Sequence, residues 1–228
     1  MYDIIFISTD EPNADENWSI LSKKFLLAKR INGIKGIHQA HIAAAKASFT
    51  KMFWVVDGDA RLLDSFNFDY QVSEYDQDCV HIFYSLNPVN GLTYGYGAVK
   101  LLPRMLTSKL NTESLDMTLS INNKIKVIEQ VSNITHFNVD EFSTWRSAFR
   151  ECVKLTLNVL NKKDNDESVQ RLNTWCEVGT ENPFGEYCIR GAKEGKNYAL
   201  VNRDNVDNLK LINDFDWLKS RFNHIINI

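Results

Sequence analysis

Asp57 and Asp59 stand one glycine apart at the end of the run Met52-Phe53-Trp54-Val55-Val56. Two carboxylates at that spacing, with no soft ligand beside them, suit a hard divalent cation, Mg2+ or Mn2+, held jointly with the phosphates of a substrate. Gly58 lets the backbone turn and leaves room for a ligand to come close. Asp-Gly is also a common turn dipeptide, so a plain surface turn is the alternative. Position favours the cation. An unbroken apolar run with two valines and two aromatic residues fits a central parallel strand covered on both faces, and open α/β sheets bind ligands beyond the carboxyl ends of such strands.

Other residues of the right type fall at comparable places. The turn Thr9-Asp10-Glu11-Pro12-Asn13 follows the strand-like Asp3-Ile4-Ile5-Phe6-Ile7-Ser8 and could hold a nucleotide base or ribose, with Thr9 and Asp10 as its candidate residues, or form an ordinary polar loop. Lys35 and Gly36 precede a helix read from Gly36 to Phe49, whose N-terminus favours an anion. On that helix His38 and His41 lack a paired ligand spacing and read as packing or surface residues. The segment Asn87 to Lys100 interleaves Gly91, Gly95 and Gly97 with Tyr94 and Tyr96, a floor that a ligand can approach and on which a sugar or base can stack; tyrosines in the core are the other reading. Arg146, Arg150 and Lys154 recur every fourth residue. They share one helix face and could clamp a diphosphate, or form a solvated face partly neutralised by Glu151.

The elements that must position these residues follow from periodicity. Strands are expected at Asp3–Ser8, through Met52–Val56, at Cys79–Tyr84 and over Ile125–Val131, with a further stretch within Lys29–Lys35. Helices are expected at Asn17–Leu27, Gly36–Phe49 and Glu141–Leu160, the last capped by Asp140. Residues 161–167 are polar and linker-like, and the remainder reads as a helical extension. This predicts an α/β fold, a mostly parallel sheet flanked by helices, with a core over residues 1–160 and a C-terminal helical extension over 161–228. At 44% hydrophobic and 24% charged the chain can build an ordinary globular core. No apolar run is long enough to span a bilayer and no signal peptide is expected. Cys79, Cys152, Cys176 and Cys188 form no Cys-x-x-Cys pair and read as reduced thiols of a cytoplasmic protein. A net charge of −3 argues against a wholesale basic surface, so any nucleic-acid contact is local.

The strand-led N-terminus, the helix entered by Ile34-Lys35-Gly36, the strand ending Asp57-Gly58-Asp59 and the later glycine-rich segment resemble the GT-A glycosyltransferases. The resemblance covers about residues 1–150. It implies that Asp57 and Asp59 bind the ribose and metal of a nucleotide-sugar diphosphate, that the segment around Gly95 lies under donor sugar and acceptor, and that a late histidine, here His136, completes the metal shell. The runs Asn90–Gly97, Thr144–Glu151 and Arg171–Cys176 are similar to those of glycosyltransferase-like proteins of tailed bacteriophages. Some of those place a sugar such as arabinose on 5-hydroxymethylcytosine in DNA. The resemblance thus implies a UDP-sugar donor, a hydroxymethylated DNA acceptor and action in the host-cell cytoplasm.

The expected chemistry is metal-assisted glycosyl transfer, with the cation neutralising the departing nucleoside diphosphate and Lys35, Arg146 and Arg150 assisting. An inverting reaction needs a carboxylate to take the acceptor proton; Asp140, Glu141, Glu151 and Asp116 are the candidates. With DNA as acceptor, Tyr94, Tyr96 or Trp145 could stack on a displaced base. Three alternatives share these residues: a glycosyltransferase acting on a protein or glycan, a metal-dependent nucleotidyltransferase, and a non-catalytic binding module whose acidic turn is structural.

Overall fold

The computed structural model describes residues 1–160 and 166–226. In the first half of the chain the elements are β1 (Asp3–Ser8), α1 (Ala14–Lys24), β2 (Lys29–Asn32), α2 (Ile37–Ala47), β3 (Met52–Asp57), β4 (Ala60–Leu62), β5 (Val80–Leu86), β6 (Thr93–Tyr94) and β7 (Val99–Pro103). There follow α3 (Arg104–Thr107), α4 (Met117–Ile121), β8 (Ile125–Thr135), α5 (Glu141–Leu160), α6 (Asp166–Glu177), α7 (Gly185–Asn202), α8 (Val206–Lys210) and α9 (Phe215–Ile226). They form two compact units: Met1–Leu86 with Thr93–His136, and Asn87–Leu92 with Phe137–Ile228.

The first unit is an eight-stranded sheet in the order β2-β1-β3-β7-β5-β8-β4, with β6 on β5. The α/β class is as expected, and the sheet is mixed. β1 runs parallel to β2 and β3, and β5 to β8. β7 is antiparallel to both β3 and β5, and β4 and β6 are antiparallel to their neighbours. Met52 to Val56 are at most 1% exposed, which accounts for the unbroken apolar run. One face of β3 is aromatic: Trp54 lies 4.9 Å from Phe83, 5.1 Å from Phe68 and 6.0 Å from Phe66, centroid to centroid. On the other face Ile5, Ile7, Phe53 and Val55 pack with Ala44 and Ala45 of α2; alanine at those points lets the helix lie close to the sheet.

Some boundaries differ from expectation for identifiable reasons. α1 begins and ends earlier than Asn17–Leu27, and Leu26 and Leu27 are exposed. Asn13 precedes the helix without a side-chain cap, and its amide donates to the His136 carbonyl at 2.7 Å. β8 continues past Val131 to Thr135, accommodating register irregularities against β5. The linker expected over 161–167 lies outside the described residues as far as 165, and Asp166 already opens α6.

The second unit is helical, as the C-terminal extension was expected to be, but its boundary falls after His136 and not at 160. α5 belongs to it because Trp145, Ala148, Phe149 and Cys152 are completely buried there, and the α7 backbone meets α5 through Gly191 and Gly195. A Cβ on either glycine would stand 2.4 Å from the Trp145 carbonyl oxygen or 2.3 Å from that of Phe149. All four cysteines are unbridged and buried. Among the described residues no helix is long and apolar enough to cross a membrane.

Candidate functional site

Strand direction brings the acidic turn together with several other loops. β5 is antiparallel to β7, which is antiparallel to β3, so β5 and β8 run with β3, β1 and β2. Their carboxyl ends therefore share one sheet edge with the start of β7. Along it lie Ser8 to Glu11, Asn32–Gly33, Asp57 to Asp59, Ala98 and His136.

The acidic turn is held from three sides. The Asp57 amide donates to the Ala98 carbonyl at 2.9 Å. Asn17 of α1 donates its side-chain amide to the Gly58 carbonyl at 2.9 Å. The His136 amide donates to the Asp59 carbonyl at 2.7 Å, and the His136 carbonyl is in turn held by Asn13. Gly58 sits in a crowded place: a Cβ there would lie 2.8 Å from Glu11 Oε2 and 3.1 Å from the Ser8 Cβ. Glu11 is itself fixed, since its Oε2 accepts the Thr9 amide at 2.7 Å. These bonds hold the turn through its backbone carbonyls and the Asp57 amide, fixing its shape on rigid elements.

Asp57 has a partner that composition and spacing did not single out. Lys100, on β7 and 3% exposed, places its ammonium 2.9 Å from Oδ2 and 3.1 Å from Oδ1 of Asp57, and also donates to the Gly97 carbonyl. Lys100 faces Val55 across the β3–β7 ladder, so it reaches Asp57, two residues on, diagonally on the same face. Behind it, His41 is fully buried, with Nδ1 2.8 Å from the Ile37 carbonyl oxygen. Burial, then the Lys100 charge, push its pKa well below the ordinary histidine value, which keeps the ring neutral.

The expected metal shell of Asp57, Asp59 and His136 is not assembled. Among the described residues no three His, Cys, Asp or Glu side chains are grouped to hold an ion, and Asp57 is bonded through both oxygens to an ammonium.

The remaining expected residues divide between the two units. Thr9, half-buried, and Asp10, exposed, lie on the strand-end edge. Lys35 and Gly36 are exposed at the start of α2, and Gly36 takes φ 92°. Gly95 is half-buried; Tyr94 is buried with its ring edge-on to Tyr96 at 5.8 Å, so of these two rings Tyr96 is the more open. Asp116 caps α4, accepting the Leu119 amide at 3.1 Å.

In the second unit most of the side chains expected to do chemistry have structural partners. Asp140 accepts the Ser143 amide at 2.7 Å and the Ser143 hydroxyl at 2.8 Å, which makes it the N-cap of α5. Glu141 is exposed, and Glu151 is buried beside Lys154 at 3.4 Å. Arg146 lies over the rings of Phe142 and Phe215 at 5.2 and 4.4 Å. Arg150 donates to the Ile212 carbonyl at 2.8 Å and to Asn213 at 3.1 Å, fastening the turn before α9. The stripe is a packing device, not an open diphosphate clamp. Trp145, expected as a possible stacking surface, is fully buried, with its indole N–H on Glu194 at 3.0 Å.

Sequence reasoning placed Glu11 and Asn13 in the turn after β1 without finding what they brace, and it missed the parts played by Asn17 and Lys100. Lys100 carried a usable signal, a single charge inside Val99-Lys100-Leu101-Leu102; the asparagines carried none, because their partners are backbone atoms far away in the chain.

No family model and no curated protein matches the chain. Among solved structures, the crystal structure of HddC from Yersinia pseudotuberculosis is similar over 58% of this chain and 92% of that one, at 14% identity and a TM-score of 0.37. A likeness of that size carries no argument about activity.

Proposed function

We propose that this chain is a glycosyltransferase of the GT-A type that moves a sugar from a UDP-sugar to 5-hydroxymethylcytosine in phage DNA, with UDP-arabinose among the candidate donors. The observation that carries the reading is the strand-end edge, where Thr9–Glu11 and Asp57–Asp59 follow adjacent parallel strands, the usual place for a nucleotide in an open α/β sheet. Thr9 and Asp10 face the base and ribose, and the acidic turn faces the diphosphate. Asp59 is the residue that would hold a divalent ion shared with the phosphates, and such an ion, when bound, neutralises the leaving nucleoside diphosphate. The chain's own part is positioning: Asn17 and the His136 amide fix the turn, so its charge is already in place when the glycosidic bond breaks.

The acceptor half of the proposal rests on the likeness of Asn90–Gly97, Thr144–Glu151 and Arg171–Cys176 to phage glycosyltransferase-like proteins. A net charge of −3 restricts phosphate contacts to a local patch, so DNA binding is weak and salt-sensitive. Tyr96 is the ring we assign to an extruded base. The test is incubation with UDP-pentoses and UDP-hexoses and DNA with or without hydroxymethylcytosine, followed by mass spectrometry of the nucleosides. Sugar on the hydroxymethylated DNA alone supports the proposal. Transfer to a protein or glycan removes the acceptor, and pyrophosphate release from a nucleoside triphosphate replaces the activity with nucleotidyl transfer.

A further inference from the structure

We infer that Arg146, with Lys219 beside it, is a phosphate-binding site in the helical unit, and that the phosphate it takes belongs to the backbone of the acceptor DNA. Arg146 is 9% exposed. Its guanidinium lies over two rings, Phe142 at 5.2 Å and Phe215 at 4.4 Å. Among the described residues no carboxylate pairs with it and no oxygen accepts from it. A ring attracts the charge but supplies none of the acceptors that five N–H donors can use. Buried charges are ordinarily paired and hydrogen-bonded, so an oxyanion gives this guanidinium the partner that the rings cannot.

The helices gather the group. Phe142 stands one turn before Arg146 on α5, and Phe215 one turn before Lys219 on α9. Lys219 is exposed, with its ammonium 4.3 Å from the Phe142 ring and 5.6 Å from that of Phe222. It too has no ion pair among the described residues, so two positive charges share Phe142. The charged residues nearby are engaged elsewhere. Arg150, over Phe215 at 5.2 Å, donates to Ile212 and Asn213. Glu141 accepts the Tyr187 hydroxyl, and Glu151 pairs with Lys154. A guanidinium edge matches two phosphate oxygens, and a lysine adds a point charge. With a net charge of −3, the chain can grip a nucleic-acid backbone only at such local cation pairs. The site stands on Arg146 itself; the choice of DNA as the source of the phosphate rests on the proposed function.

The test is binding of a short fluorescein-labelled duplex, followed by anisotropy over a series of KCl concentrations. The set is wild type, Lys219→Gln, Arg146→Gln and Lys46→Gln, the last an exposed lysine of α2 in the other unit; each is checked for folding by circular dichroism. Every lost phosphate contact reduces the slope of log affinity against log salt by about 0.9. Lys219→Gln and Arg146→Gln should each show that reduction, with affinity about fivefold lower at low salt, whereas Lys46→Gln matches wild type. Duplexes with and without hydroxymethylcytosine should respond alike, because backbone contacts carry no sequence information. Slopes and affinities unchanged in folded Lys219→Gln and Arg146→Gln, or lowered no more than in Lys46→Gln, overturn the inference. If Arg146→Gln does not fold, Lys219→Gln decides. Absence of DNA binding by wild type overturns the DNA assignment. In that case, inorganic phosphate raising the urea midpoint of wild type but not of Lys219→Gln, against chloride at equal ionic strength, gives the site to a small phosphate ligand. DNA held through this pair without any sugar transfer would remove the glycosyltransferase proposal and leave the site. Sugar transfer to DNA with all four slopes equal would do the reverse.

Discussion

The seam between α5 and α7 sets two opposing effects against each other at a single atom. Replacing Gly191 by alanine raises helix propensity by about 1 kcal/mol. The same Cβ would stand 2.4 Å from the Trp145 carbonyl oxygen and 3.0 Å from its carbonyl carbon, where non-bonded atoms normally keep roughly 3.5 Å. The obstacle is backbone, so no rotamer change relieves it and the helices must separate by about 1 Å. A gap of that size forfeits a quarter to a half of the dispersion energy of the facing atoms, here the seam flanked by the fully buried Trp145, Phe149, Cys188 and Ala192. Overpacking typically costs about 1–3 kcal/mol, and an obstacle made of backbone belongs at the upper end, so the net expectation is destabilisation of roughly 1–2 kcal/mol. Gly195→Ala, with its Cβ 2.3 Å from the Phe149 oxygen, should behave alike. The double variant should cost clearly less than the sum, because one separation relieves both clashes. Urea unfolding followed by circular dichroism measures all three. A Gly191→Ala protein as stable as wild type, or more stable, would show that the seam is looser than described and refute the packing argument.

Three further outcomes are expected. Asp59→Asn keeps the size and shape of the side chain, and the Gly58 and Asp59 carbonyls stay held by Asn17 and the His136 amide, so folding should survive while sugar transfer falls roughly a hundredfold or more; near-normal turnover would remove Asp59 from the site. Burial holds the pKa values of His38, His41 and His81 below the ordinary value, so the unfolded chain takes up the extra protons in acid. Stability should be full above about pH 6.5 and fall below it, His41 contributing up to about 1.4 kcal/mol per pH unit; urea midpoints that do not move between about pH 7.5 and about pH 5.5 would contradict this. The hydrogen bond from Cys152, then Lys196 and Lys193, bring Cys176 down to about 7, whereas burial pushes Cys188 up to about 12. Among these helical thiols Cys176 should be alkylated first by iodoacetamide, with a rate that rises through neutrality, as peptide mass mapping would report; preferential labelling of Cys188 would overturn the assignment.

The apolar runs of β1, β3 and β5 and the 3.6-residue spacing of α2 and α5 determined those elements unaided, since each records a burial pattern local to a few turns or pleats. The same local logic put Asp57 and Asp59 at a strand's carboxyl end and Asp140 at a helix start. Tertiary structure decided what those groups then do. Only strand order could place Lys100 against Asp57, 43 residues away, or bring Asn13 and His136 together to brace the turn. Only the close approach of α7 to α5 could turn Arg146, Arg150 and Trp145, which read as a clamp and a stacking surface, into interior fittings of a helical unit that begins after His136. Periodicity reports which face of an element is buried. It is silent on what that face meets, because charge compensation and backbone hydrogen bonding are settled by neighbours distant in sequence.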